Sequence, residues 1–258
     1  MSRIHTAFEK GKAFIGFVTG GDPSIEKSEE FILKMVEAGA DLIEIGVPFS
    51  DPIAEGPVIQ AANLRALAAG TTTDRLFELT ASLRKKTQVP IVFLTYLNPV
   101  FKYGYQRFFE RCRQCGVDGL IIPDLPYEEK DDVAEHAGAY DVDIISLIAP
   151  TSEDRIRRIA EDAKGFLYVV SSMGVTGMRS EIKTDLESMM KTVRQYSAVP
   201  AAVGFGINTP DQARQIAKLA DGIIVGSAIV KLCQQYGEDA AEPIYEYIHS
   251  MKEAIKGK

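Results

Sequence analysis

Eight short apolar runs, each followed by a charged stretch of helical period, recur along the chain and constrain its fold more than any other feature. They are AFIGFVT (13–19), DLIEIGV (41–47), PIVFLT (90–95), GLIIPD (119–124), VDIISLIAP (142–150), GFLYVVS (165–171), PAAVGF (200–205) and DGIIVGS (221–227). Strands that are apolar at nearly every position are buried on both faces, which is the pattern of a parallel sheet covered by crossover helices. SIEKSEEFILKMVEAG, TTTDRLFELTASLRKKT, EDRIRRIAEDAKG and PDQARQIAKLA supply helices of the right period between them. Asp22-Pro23-Ser24, Thr151-Ser152 and Thr209-Pro210 precede three of these stretches as caps.

Two architectures satisfy a repeated strand-helix unit, an open doubly wound sheet and a closed barrel. Eight units in 258 residues fit closure, whereas the five or six strands of an open sheet leave units over, and no GxGxxG follows the first run. The expectation is one (β/α)8 barrel domain of the TIM type over 1–258. A short extra helix is expected in the first ten residues and a terminal helix over 238–256.

With 46% hydrophobic and 25% charged residues the composition is that of a folded chain with a sizeable core. A net charge of −7 argues against nonspecific nucleic-acid binding. No signal-peptide pattern and no apolar run of membrane-spanning length is present, and three sparse cysteines suggest no disulfide framework, so a cytoplasmic protein is expected. Cys112 and Cys115 form a CxxC inside FFERCRQCG, read as two helix-face thiols. His5, His136 and His249 fall in helical or terminal segments, so no metal site is expected at the barrel mouth.

Function in such barrels gathers at the carboxyl ends of the strands. Alternation along DLIEIG turns Ile43 and Ile45 outward and Leu42, Glu44 and Gly46 inward. Glu44 is therefore either a structural carboxylate held by neighbouring donors or an acid/base whose pKa is raised by burial. GVPFSDPIAEGPVIQ, nonhelical before about Pro57, adds Asp51 and Glu55 on a loop above it. Gly204, Gly206, Gly226 and Ser227 follow runs seven and eight, where barrels build phosphate sites from backbone donors and a helix N-terminus. SMGVTG (172–177) has the small residues of a lid. No lysine lies within a strand run, so a Schiff-base mechanism has no nucleophile there.

IEIGVPFSDPIAEGPVIQ, YLNPVFKYG, PDLPYEE, VSSMGVTG, GFGI and DGIIVGSAIVK, in this order and spacing, resemble the tryptophan synthase α subunit family from end to end. The resemblance implies a lyase that cleaves indole-3-glycerol phosphate to indole and glyceraldehyde 3-phosphate in tryptophan biosynthesis. It implies an α2β2 complex with a β subunit that carries pyridoxal phosphate, and no cofactor in this chain. By matched motif Glu44 corresponds to the principal acid/base catalyst, and Tyr168 to the aromatic beside it. The family's second acid is an aspartate in SDPxADGP; here it is Glu55, longer by one methylene. Phe17, Leu94 and Tyr96 match positions around the indole, and Thr176 matches the lid threonine. Gly177, Gly206, Gly226 and Ser227 match the phosphate loops. Asp124 matches a loop acid linked to the lid, whose usual SRxGVTG has Ser172 in place of arginine. The competing readings are another phosphate-binding barrel and a noncatalytic subunit that activates a β partner.

Overall fold

The computed structural model describes residues 2–170, 179–204 and 206–256, with the side chains of 179–185 outside the description. Eight parallel strands close into a barrel: β1 (Ala13–Thr19), β2 (Leu42–Gly46), β3 (Ile91–Leu94), β4 (Gly119–Ile121), β5 (Asp143–Ile148), β6 (Leu167–Val170), β7 (Ala201–Gly204) and β8 (Gly222–Val225). Closure is made by β8 against β1, with Ala13 opposite Gly222 and Gly16 opposite Val225. Several strands stop short of the apolar runs that announced them. β4 ends at Ile121, ahead of Pro123, which has no amide for the ladder, and β5 ends ahead of Pro150.

Among the described residues eleven α-helices wrap the barrel: α1 (Ile25–Glu37), α2 (Pro57–Ala68), α3 (Thr73–Arg84), α4 (Leu97–Tyr103), α5 (Tyr105–Cys115), α6 (Asp131–Ala139), α7 (Glu153–Glu161), α8 (Arg179–Tyr196), α9 (Pro210–Ala217), α10 (Ser227–Tyr236) and α11 (Ala241–Ile255). The anticipated caps form. Ser24, Ser152 and Thr209 accept from the backbone amides of Lys27, Arg155 and Gln212, and Thr209 completes a capping box with Gln212. α2 begins at Pro57, where the loop sequence places it. The amino-terminal helix is a 3-10 turn at Ile4–Phe8, and another 3-10 turn at Gly237–Asp239 precedes the terminal helix.

Two apolar layers follow from strand alternation. Inside the barrel Ile15, Leu42, Val92, Ile121, Ile145 and Ile224 meet, and Ile4 and Ala7 of the 3-10 turn plug the amino-terminal end. Outside, Ile43, Ile45, Phe93, Leu120 and Val203 pack against the helices. The plug is stapled by buried Asp118, which accepts from the Arg3 amide and guanidinium, the Arg84 guanidinium and the Ile91 amide. The amino-terminal face is thus given to stability, and the carboxyl face is left for function. Cys112, Cys115 and Cys233 are free and buried, the first two on the inner face of α5. Among the described residues no helix is long and apolar enough to cross a membrane.

Candidate active site

A cavity of about 430 Å³ opens at the carboxyl rim, lined by residues from β1, β2, β3 and β6 and by the loops after β2, β7 and β8. Glu44 forms part of its floor. It lies inside the barrel, in register with Phe17 of β1 and Val92 of β3, and is 1% exposed. One carboxyl oxygen, Oε2, has no hydrogen-bond partner among the described residues. A buried carboxylate without donors is strongly disfavoured, so desolvation, with repulsion from Glu55 added, raises the Glu44 pKa from 4.5 to about 8. Glu44 is therefore an acid that carries its proton at neutral pH. Of the two roles open to it, a carboxylate held by neighbouring donors does not fit the unpartnered oxygen.

Tyr168 enters from β6, four strands round the barrel from β2, and lines the same cavity. Burial, followed by the nearby Glu44, pushes its hydroxyl well above the usual phenol range, so it stays protonated. Its ring lies over the backbone of Gly204, where an added Cβ would come within 2.7 Å of the hydroxyl oxygen. The glycine after strand seven thus makes room for the tyrosine as well as shaping a loop.

The loop after β2 divides its two acids. Asp51 is exposed, accepts from the Ser50 hydroxyl and does not line the cavity. Glu55 lines it and is half-buried; desolvation raises its pKa, opposed by a hydrogen bond from Asn63. The Asn63 amide donates to Glu55 Oε2 at 2.6 Å from the buried face of α2, which it shares with Ile59, Ala62 and Ala66. Gln60 donates to the Glu55 carbonyl at 2.7 Å. The Tyr96 hydroxyl accepts from the Ala54 amide at 3.0 Å.

Tyr96 stands apart from the cavity wall. Period-two alternation from Val92 through Leu94 would bring it inward, but β3 ends at Leu94 and Tyr96 becomes the residue before α4. It is buried behind the loop against Phe49 and fixes the segment that presents Glu55. Asp124 likewise acts on backbone, accepting from the Leu97 amide at the start of α4.

Phe17 and Leu94 line the cavity and pack with Ile59 into an apolar wall. Gly206, Gly226 and Ser227 line the β7–β8 sector. Gly206 has φ +76°, a left-handed conformation that favours glycine. α10 starts at Ser227 with no side-chain cap and no acidic residue in its first turn. Its first amides therefore lack the partners a cap would supply, and the helix end favours an anion. Thr176 and Gly177 lie outside the described residues, as does Ser172. Sequence reasoning missed Asn63, whose signal was an amide on an otherwise apolar helix face. It also missed Lys231, which reaches the cavity from α10 although no strand carries a lysine.

A profile of the family described as tryptophan synthase alpha chain matches residues 4–256. The tryptophan synthase alpha chain of Lacticaseibacillus casei is 48% identical over 258 residues, covering 100% of this chain and 97% of its own. That of Thermoanaerobacter sp. strain X514 is 46% identical, covering 99% and 100%. Among solved structures, tryptophan synthase subunit alpha from Legionella pneumophila str. Paris superposes with a TM-score of 0.90 at 36% identity, covering 99% of this chain and 98% of that one. A chain from the tryptophan synthase a2b2 complex of Pyrococcus furiosus gives 0.88 at 33% identity, covering 94% and 98%. Fold and cavity define a (β/α)8 barrel with a ligand-sized cavity at the carboxyl rim, the class to which many barrel enzymes belong. The chain belongs to the tryptophan synthase alpha chain family. It is accordingly a lyase of tryptophan biosynthesis with a retro-aldol type of cleavage, and family membership implies a tryptophan synthase beta subunit as partner.

Proposed function

We infer that this chain, acting as a single barrel domain, cleaves indole-3-glycerol phosphate to indole and glyceraldehyde 3-phosphate. The observation that carries the reading is Glu44, an interior carboxyl without a partner on Oε2 that stays protonated to about pH 8 beside a cavity fit for a small ligand.

The substrate contains its own electron sink. Glu44 donates its proton to indole C3, breaking aromaticity and leaving an iminium at N1. The carboxylate so formed accepts the proton of the hydroxyl on the glycerol carbon bonded to C3. That carbon becomes the aldehyde as the C3–carbon bond breaks, and the bonding pair returns to the ring to restore indole. Glu44 ends protonated, ready for another turn. Glu55, aimed by Asn63, accepts a hydrogen bond from N1–H and offsets the positive charge that develops there. Tyr168 orients Glu44. Phe17 and Leu94 cover the indole faces, and Tyr96 holds the Glu55 loop. Gly206, Gly226 and Ser227 receive the phosphate, with Gly177 completing that end and Thr176 closing the lid. Remote phosphate binding positions the scissile bond.

In this reading the partner assembles with it as an α2β2 complex, the β subunit, which would carry pyridoxal phosphate, would consume the indole, and the pathway is cytoplasmic, in keeping with three buried free thiols. The test is indole release from indole-3-glycerol phosphate by the purified chain, with and without its β subunit, beside Glu44→Gln. Release that rises with the partner and collapses in the variant supports the reading. A folded chain that binds substrate and yields no indole in either condition overturns it.

A further inference from the structure

Among the described residues, the phosphate end of the cavity offers backbone donors and a hydroxyl but little charge to match its ligand. A phosphate monoester carries nearly two negative charges at neutral pH, and it must enter a chain of net charge −7 beside two acids, Glu44 and Glu55. Amides at a helix end contribute about half an elementary charge. Among the described residues that line the cavity, Lys231 alone is cationic.

Its place on α10 explains how it gets there. Ser227 is the first residue of the helix and Lys231 lies one turn later, four residues on, so both share one face. Side chains on a helix lean toward its N-terminus, which carries the Lys231 ammonium back toward the Ser227 hydroxyl and the uncapped amides. The opposite face, with Ile229, Val230 and Cys233, is buried in the barrel wall, while Ser227 and Lys231 are exposed toward the mouth. Lys231 makes no ion pair or hydrogen bond with any described residue.

We propose that Lys231 is the counter-charge for the substrate phosphate, a binding residue that makes the enzyme select the phosphorylated glycerol over its phosphate-free form. The inference rests on the phosphorylated-substrate reading above and adds to it the residue that sets this preference. A charge-assisted hydrogen bond is stronger than a neutral one but is weakened where solvent screens it, so removing the ammonium should weaken phosphate recognition about tenfold.

The experiment has two arms, on the native chain with its β subunit and on Lys231→Gln and Lys231→Arg. In the first, titration calorimetry measures glycerol 3-phosphate and glycerol binding at low and high salt. In the second, indole release is followed from indole-3-glycerol phosphate and from indole-3-glycerol. Lys231→Gln should weaken glycerol 3-phosphate binding about tenfold, flatten its salt dependence, and lower the kcat/KM ratio of phosphorylated to phosphate-free substrate by a similar factor, with Lys231→Arg restoring most of both. A loss shared equally by both substrates marks a structural role and overturns the proposal, as does a Gln variant with the native ratio and native binding. Lys231-dependent binding without indole release by the native complex would instead uphold the phosphate contact and overturn the cleavage reaction.

Discussion

Glu44→Gln should change how stability responds to pH, and the size of the change follows from burial. An acid whose folded pKa is about 8 against 4.5 in the open chain binds more protons folded than unfolded between those values. Stability therefore falls as pH rises through that window, is undiminished below the lower value and reaches its floor above the upper one. Each pH unit inside the window costs the fold about 1.4 kcal/mol, so native protein should lose about 2–3 kcal/mol between pH 6 and pH 8 from this group alone. Glutamine keeps the shape and cannot ionise, so the variant lacks that slope even if its amide shifts the whole curve. The assay is urea unfolding of both proteins at matched pH values, reading the difference in free energy at each. A difference that moves in the variant's favour by about 2–3 kcal/mol across the window is expected. Parallel curves would mean that Glu44 is ionised and solvated in the fold, and would remove the ground for its role as a proton donor at neutral pH.

Four further substitutions probe the site and the scaffold behind it. Asn63→Ala removes the hydrogen bond that aims Glu55, and kcat for indole release should fall about tenfold or more, while Glu55→Asp, which shortens the reach to Asn63, should fall less. Gly204→Ala places a methyl 2.7 Å from the Tyr168 hydroxyl oxygen, and displacing that buried ring should cost about 1–3 kcal/mol in thermal or urea unfolding and lower kcat. Arg65→Ala strips the two-point pairing of 2.7 and 2.8 Å from Asp22, a carboxylate that is 4% exposed, and should destabilise by about 3 kcal/mol because the remaining charge is buried alone. Native-like stability in the last variant would show that Asp22 is readily solvated when its partner goes.

The barrel was legible because its signals are local. Each apolar run and the caps at Ser24, Ser152 and Thr209 could be read within a few residues, and Glu44 was placed inward by alternation alone. What escaped depends on where strands stop and on pairings distant in sequence. Tyr96 follows two inward residues of β3, yet the strand ends before it, and its hydroxyl serves the Ala54 amide 42 positions away. Asn63 gave a faint local sign, an amide on a face otherwise made of Ile59, Ala62 and Ala66, but its target on the preceding loop shows only in three dimensions. Lys231 lies on no strand, and a cavity at a barrel mouth also receives side chains from the helix that follows the last one. The swap of aspartate for Glu55 stood out in sequence, and the structure adds the partner that restrains the longer side chain.

The most direct test of the central claim, that protonated Glu44 starts the reaction, is the pH dependence of kcat for indole release by the native complex and by Glu44→Gln. A rate that holds at neutral pH and falls about tenfold per unit above pH 8, with the variant nearly inactive throughout, is predicted. A native rate that climbs through pH 8, or a variant that keeps substantial turnover, would contradict it.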